Sequence, residues 1–127
     1  SAHLNLPSEI NTYTVSASNR LVSALESDKT VKGITVTSSG FYGPQGRQLR
    51  LKTKTGELND RLTSFRHDLG RITNFEMECA GLYGLASLLG HDALTCCVIL
   101  ANRANRTFSA QAPALAEQLI QSALHAF

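Results

Sequence analysis

The sequence predicts a layered α/β domain in which helices cover a mostly buried sheet. Helix-type and strand-type hydrophobic patterns alternate along the 127 residues, and three segments have the composition of strands. Residues 93–101 form a continuous apolar run of strand-like residues without a charge. Such a run is typical of a strand that covering helices bury on both faces.

The first elements are a helix and a strand. Helical spacing of apolar residues predicts a helix over residues 16–27, with Ser16 or Ser18 as its cap. β-Branched and small residues alternate over residues 31–37. This alternation predicts a strand that runs into the small residues 38–40.

The middle of the chain combines turn-forming residues with a second strand. Glycines, Pro44 and the alternating residues that follow predict a long excursion or a hairpin over residues 41–56. A short helix is expected near residues 58–65, and residues 72–77 predict the second strand. Long loops of this kind often carry function.

The last third of the chain alternates helix, strand and helix. Residues 79–89 are rich in Ala and Leu and predict a helix that Gly90 ends. The apolar run at residues 93–101 is the third predicted strand. A last helix is expected over residues 112–126, and its apolar stripe consists of Leu115, Leu119, Ile120 and Leu124.

The domain organisation follows from what the sequence lacks. No internal repeat and no linker rich in Gly or Pro divides the chain, so residues 1–127 are interpreted as a single unit. Three strands of the buried type leave open sheet edges. We therefore expect that the chain lacks some of its sheet neighbours and is incomplete.

Charge and cysteine content exclude several classes of protein. A net charge of +2 gives no strong field, so neither nucleic acid nor a membrane is expected as a partner. The apolar run is far shorter than the ~20 residues of a membrane span. Residues 1–4 lack the features of a signal peptide. Three cysteines, two of them adjacent, argue against a disulfide framework and favour a reducing compartment, the cytoplasm.

Polar clusters follow each predicted strand. They are FYGPQGR at residues 41–47, NFEME at residues 74–78 and ANR at residues 101–103. Ligands of α/β sheets bind just beyond the carboxyl ends of strands, where these clusters are placed. The motifs GxGxxG, GxxxxGK, HExxH and CxxC are absent, so dinucleotide, nucleoside-triphosphate and common zinc sites lack support.

The three clusters carry a resemblance to a known family. TSSGFYGPQGR, RITNFEMECAGLYGLASLLGH and VILANR, in this order and spacing, are similar to the uridine phosphorylases, the pyrimidine branch of the nucleoside phosphorylases. The likeness runs from about residue 31 to residue 103. It implies the C-terminal half of the family fold, a partial three-layer αβα sandwich with a mixed sheet flanked by helices.

The resemblance implies roles for individual residues. Gln45 and Arg47 hold the uracil edge, Phe41 packs on the base, and Arg103 lies near a uracil oxygen. An amide that donates and accepts, beside a planar guanidinium, suits the N3 edge of uracil. The alternative without ligand binding is a solvated turn with an exposed Arg47. Arg103 could likewise be an ordinary exposed arginine at a strand end.

The second cluster is implied to hold the ribose through Met77 and Glu78, with Glu76 beside them. Strand alternation sends Glu76 and Glu78 toward the same side, and a carboxylate accepts hydrogen bonds from ribose hydroxyls. Glu76 serves equally well in a structural network. Met77 could instead fill the core, and Glu78 could be a simple first-turn carboxylate of the helix.

The implied reaction is reversible phosphorolysis of uridine to uracil and ribose 1-phosphate, in which Gln45, Arg47 and Glu78 are the catalytic residues. Uridine and phosphate are the expected partners, phosphate as a co-substrate, with no cofactor and no metal. The family binds phosphate through its N-terminal half, so no phosphate site is expected in this chain, and the isolated chain is expected to be inactive. The intact enzyme is expected to form homodimers or hexamers.

Two other hypotheses remain open. One hypothesis stays within the same family and makes the enzyme a nucleosidase or a purine phosphorylase. Against it, Asn102 stands where purine phosphorylases carry a proton-donating Asp. A basic binding module would use Arg47, Arg50, Lys52 and Lys54 against nucleic acid. Two positions depart from the family pattern, Gly46, where some relatives carry Glu, and Cys79, where Ser or Thr is frequent. Neither departure removes a ligand group, and both leave open whether uridine, thymidine or deoxyuridine is preferred.

Overall fold

The structure is a computed structural model that describes residue 6 and residues 8–127. The expectation about a signal peptide concerns residues 1–4, which lie outside the described residues. The helices are α1 (Asn19–Leu25), α2 (Leu58–Ser64), α3 (Cys79–Leu89) and α4 (Ala112–His125). The strands are β1 (Ile34–Thr37), β2 (Arg66–His67), β3 (Gly70–Glu76), β4 (Ala101–Asn102) and β5 (Thr107–Phe108).

A three-stranded mixed sheet organises these elements. Its order is β1-β3-β2, in which β1 runs parallel to β3 and β2 runs antiparallel to it. The pairing of β1 ends with Thr37 opposite Glu76. Strands β4 and β5 form a separate antiparallel pair. The predicted α/β class with a mixed sheet and helices is confirmed.

Local sequence signals set the ends of the helices. The hydroxyl of Ser18 accepts a hydrogen bond from the Leu21 N–H and caps α1, as one of the two predicted caps. Helix α3 has the predicted bounds and ends at Gly90, whose φ of 71° is left-handed. Glycine adopts this conformation without steric penalty, and the Gly90 N–H bonds back to carbonyls of the last helical turn.

Several boundaries differ from the predictions. Helix α1 is shorter than residues 16–27, because the Ser18 cap places its start at Asn19. Residues 41–56 contain a single turn of 3₁₀ helix and no hairpin. The short strands β2 and β5 were missed, because two residues are too few to show a periodic pattern.

The prediction of a doubly buried third strand is wrong for residues 93–100. These residues belong to no strand, helix or turn, and only Ala101 of the predicted run enters β4. Ile99 and Leu100 are 49% and 57% exposed. A strand needs a neighbour that pairs with its backbone, and within the described part of the chain the backbone of residues 96–99 has no such partner.

The core is small for a chain of this length. Among the described residues, the buried apolar side chains are Leu58, Leu62 and Cys79, and no large side chain is fully buried. The predicted stripe of α4 is mostly uncovered, since Leu115, Ile120 and Leu124 are exposed and Leu119 is half-buried. Within the same residues, no helix combines the length and apolar character that crossing a membrane requires.

Substitution of two glycines compares a crowded position beside the sheet with an unobstructed position in helix α3. A Cβ on Gly33 would lie 2.2 Å from Cγ2 of Thr73, whose branched side chain also donates to Asn74. We expect Gly33→Ala to lower the free energy of unfolding by about 1–3 kcal/mol in urea titrations. The matched control is Gly81→Ala in α3, where a Cβ would have no atom within 4 Å. This substitution should raise the free energy of unfolding by about 1 kcal/mol, because alanine favours a helix more than glycine does. Equal stability of the two variants would contradict this packing.

Candidate active site

The carboxyl ends of β1 and β3 form one edge of the sheet. Thr37 and Glu76 are partners at the end of the parallel pair, and the Ser38 N–H donates to the Glu76 carbonyl at 2.9 Å. The chain leaves β1 into the FYGPQGR loop and leaves β3 into the start of α3. The first two polar clusters therefore begin side by side.

The FYGPQGR loop is a tight turn built on the Tyr42 carbonyl. This carbonyl accepts the N–H groups of Gln45 at 3.1 Å and Arg47 at 3.0 Å. Gly46 has a left-handed φ of 74°, and a Cβ there would lie 3.0 Å from the Asn59 side chain of α2. Gln45 is only 3% exposed. The loop thus differs from a plain solvated turn.

Gln45 joins the first cluster to the third. Its Oε1 accepts from Arg47 Nη1 at 3.0 Å and from Arg103 Nη2, and its carbonyl accepts from Arg103 Nη1 at 2.7 Å. A guanidinium can only donate, so the amide oxygen must face both arginines. Burial lowers the pKa of Arg103, and the nearby charge of Arg47 lowers it further. Two cations therefore converge on one neutral side chain.

Aromatic rings hold both guanidinium groups. The Arg47 guanidinium carbon lies 3.6 Å from the centroid of the Phe41 ring, and Arg47 also donates to the Phe41 carbonyl. Arg103 lies 5.0 Å from the centroid of Phe75 in β3. Such cation–π contacts fix the cations without neutralising them. Sequence reasoning missed Phe75, although strand alternation places it opposite in direction to Glu76.

Glu76 ties the sheet to the start of α3. Its Oε1 accepts from the Thr37 hydroxyl, and its Oε2 accepts the N–H groups of Glu78 and Cys79, both at 2.6 Å. The Thr37 hydroxyl in turn accepts the Ala80 N–H at 3.0 Å. Burial acts to raise the pKa of Glu76, but these hydrogen bonds outweigh it and leave the pKa below its ordinary value. The carboxylate is therefore engaged in the structural network that was one of its two interpretations.

Met77 and Glu78 lie on the surface just beyond β3. Met77 is 42% exposed, and Glu78 is exposed at the first position before α3. The Glu78 carboxylate accepts the Met77 N–H at 3.2 Å and lies near the positive end of the helix. Its position allows it to accept hydrogen bonds from a ligand's hydroxyl groups.

The structure thus brings Gln45, Arg47 and Arg103 into direct contact. Phe41 flanks this group at 51% exposure. Glu76, Met77 and Glu78 follow on the same sheet edge, linked to Arg103 through Phe75. Within residue 6 and residues 8–127, no set of three His, Cys, Asp or Glu side chains is placed to hold a metal ion.

Comparisons with known proteins agree on one family. The sequence model of the Phosphorylase superfamily matches residues 4–127. Over 82 residues, the chain is 39% identical to a uridine phosphorylase of Thermococcus kodakarensis, an alignment that covers 60% of this chain and 27% of that protein. A crystal structure of a Trypanosoma brucei nucleoside phosphorylase, described as showing uridine phosphorylase activity, matches with a TM-score of 0.78 at 26% identity. That match covers 90% of this chain and 42% of the other, so the chain spans less than half the length of these relatives.

The Glu76 network gives a pH-dependent prediction. Glu76→Gln removes one acceptor oxygen and should lower the free energy of unfolding by about 1–2 kcal/mol at neutral pH, as loss of a helix cap does. Because the folded pKa lies below the ordinary 4.5, the stabilisation is present above that value and is lost as pH falls through the folded pKa. Urea titrations from neutral to acid pH should show the difference shrinking. Glu9→Gln, at an exposed position, is the control; a difference independent of pH would contradict the network.

Proposed function

The chain belongs to the phosphorylase superfamily, and we propose that it forms the base- and ribose-binding part of an enzyme that cleaves uridine with phosphate. In this reaction phosphate attacks C1′ of the nucleoside, the bond from C1′ to N1 breaks, and ribose 1-phosphate and uracil leave. The observation that carries the proposal is the convergence of Arg47 and Arg103 on the buried Gln45.

This arrangement suits a pyrimidine that gains negative charge. As the glycosidic bond breaks, the electron pair passes to the uracil ring and its oxygens. Preorganised donors placed where charge develops stabilise a transition state more than water does. Gln45 and the two arginines are held by hydrogen bonds and aromatic rings, so little reorganisation is required.

The ribose is assigned to the other end of the same sheet edge. The exposed Glu78 carboxylate is proposed to accept the ribose hydroxyls, and Met77 to pack on the apolar face of the sugar. Holding the sugar orients C1′ for phosphate. The engagement of Glu76 with Thr37 and α3 supports an indirect role, in which it positions Glu78.

The phosphate site, the assembly and the location belong to the proposed whole enzyme. We assign phosphate to the part of the fold that lies outside this chain, and we propose a homodimer or a hexamer built from dimers. No cofactor is proposed. The three free cysteines support a reducing compartment, the cytoplasm.

Particular observations weigh against the alternatives. Asn102, whose side chain accepts the Asn105 N–H at 3.1 Å, has no acidic proton for a purine ring. The basic-module hypothesis needs Arg47 as a solvated cation, whereas Arg47 bonds to Gln45 and stacks on Phe41. Uridine therefore fits the site better than a purine nucleoside or a nucleic acid.

The isolated chain should bind parts of the substrate but turn none over. Without a phosphate site, C1′ has no positioned nucleophile, so uracil release from uridine should stay at the rate of a blank with and without phosphate. Chromatographic assay of uracil checks this. Phosphate-dependent cleavage by this chain alone would contradict the assignment of the phosphate site.

In the complete enzyme, Arg47→Ala and Glu78→Ala should each lower kcat/KM for uridine by roughly 10²–10³. The matched controls are Arg50→Ala in the same loop and Glu9→Ala, both at exposed positions, which should change it less than about twofold. Steady-state kinetics with uridine and phosphate make the measurement. Unchanged kinetics of the Arg47 and Glu78 variants, or equal cleavage without phosphate, would sink the proposal.

A further inference from the structure

The first turn of α3 is capped by side chains from outside the helix. The first N–H groups of a helix have no partner within it, and the side chain of the N-cap residue ordinarily accepts one of them. Glu78 is the N-cap residue of α3, but in the described part of the chain its side chain forms no capping hydrogen bond. The Glu76 carboxylate instead accepts the N–H groups of Glu78 and Cys79, both at 2.6 Å. A residue of the sheet therefore caps the helix in place of Glu78.

Thr37 caps the next N–H group of the same turn. Its hydroxyl oxygen accepts the Ala80 N–H at 3.0 Å, across 43 positions of sequence, and its O–H donates to the Glu76 carboxylate. A hydroxyl has one proton to donate and lone pairs that accept, so it makes both bonds at once. Thr37 is half-buried at the end of β1, opposite Glu76 in the parallel pairing. The Thr37 hydroxyl and the Glu76 carboxylate are here called the sheet cap.

The sheet cap keeps the Glu78 carboxylate out of the helix. This carboxylate is exposed and accepts the Met77 N–H at 3.2 Å, a group that lies before the first turn. Without the Thr37 hydroxyl, the Ala80 N–H would compete for the Glu78 carboxylate, because a side chain at the N-cap position reaches the N–H groups two and three positions further on. The positive end of the helix would favour that contact. Capping by the sheet thus leaves Glu78 available to a ligand.

We propose that Thr37 is a positioning residue for the ribose, which acts by keeping the Glu78 carboxylate available to the sugar hydroxyls. The inference rests on the proposed function, in which Glu78 accepts those hydroxyls. Thr37 itself contacts the cap and not the substrate. A carboxylate that first has to leave a competing donor binds its ligand more weakly. The contribution of Thr37 is therefore expected in the binding of the nucleoside and not in the binding of the base alone.

Thr35 provides the matched control. It precedes Thr37 by two positions, so both side chains project from the same face of β1, and both are half-buried. The Thr35 hydroxyl donates to Asn74 Oδ1 at 2.9 Å, a contact from β1 to β3 like that of Thr37. The same Asn74 oxygen accepts from Thr73 of its own strand, whereas Glu76 accepts from the helix. A general weakening of the sheet would affect Thr35→Val and Thr37→Val alike.

Steady-state kinetics of the complete enzyme with uridine and phosphate test the proposal. Thr37→Val should raise KM for uridine by about tenfold or more and change kcat less, because the lost bonds serve the binding of the sugar. Thr37→Ser keeps the hydroxyl and should stay within about threefold of the wild type, and Thr35→Val within about twofold. The affinity for uracil alone, measured by calorimetry, should stay within about twofold in all three variants. Unchanged KM in Thr37→Val, or an equal loss of uridine and uracil affinity, would overturn the inference.

A double-mutant cycle tests whether Thr37 acts through Glu78. In a Glu78→Ala background the carboxylate is gone, so Thr37→Val should change kcat/KM by less than about twofold. Thr35→Val should have no larger effect in either background. If Thr37→Val lowered kcat/KM equally with and without the Glu78 carboxylate, Thr37 would act by another route and the inference would be wrong.

Urea titrations establish that each variant is folded before its kinetics are measured. If Thr37→Val does not fold, Thr37→Ala removes the same hydroxyl and is measured in its place with the same expected results. Uridine cleavage by the wild-type enzyme is the separate check on the proposed function. Wild-type cleavage together with an unaltered Thr37 variant overturns this inference alone, whereas absence of wild-type cleavage overturns the proposed function on which it rests.

Discussion

The parallel pairing of β1 with β3 is the constraint on which the rest of the structure depends. Parallel strands carry their carboxyl ends to one edge, so the loop after Thr37 and the turn after Glu76 begin as neighbours. The bond between these two side chains and the bonds from Glu76 to the first N–H groups of α3 fix the strand ends against the helix. A single carboxylate thereby holds strand, strand and helix in one arrangement.

The electrostatics of the site follow from that arrangement. Arg47 and Arg103 approach the same amide, and the salt bridges of the described residues lie elsewhere, between Arg20 and Asp92 and between Lys32 and Glu26. Aromatic rings and an amide orient the two cations but leave their charge uncompensated. The proposed uracil, a planar ligand that accepts hydrogen bonds and gains negative charge as its glycosidic bond breaks, would suit two cations held in this way.

The polar edge is well connected, whereas the hydrophobic core is small. Most of the large apolar residues on α3 and α4 face outward, and the apolar segment at residues 93–100 forms no strand. A chain that spans 42% of a matched fold would be expected to expose the surfaces that the remainder covers.

The sequence by itself determined the features that depend on near neighbours. Helix α3 and its end at Gly90, the Ser18 cap, the mixed α/β class and the polar residues at the ends of β1 and β3 could all be predicted, because caps, turns and periodicity act within a few residues. Only the tertiary structure decided which distant groups meet. Gln45 and Arg103 are 58 positions apart in the sequence, and their contact depends on the fold. The sequence allowed Glu76 to face either a ligand or a structural network, and the structure shows the network. Residues 93–100 have the composition of a buried strand, but they form no strand. Burial and pairing depend on which elements lie alongside a segment, and the local sequence does not specify those neighbours.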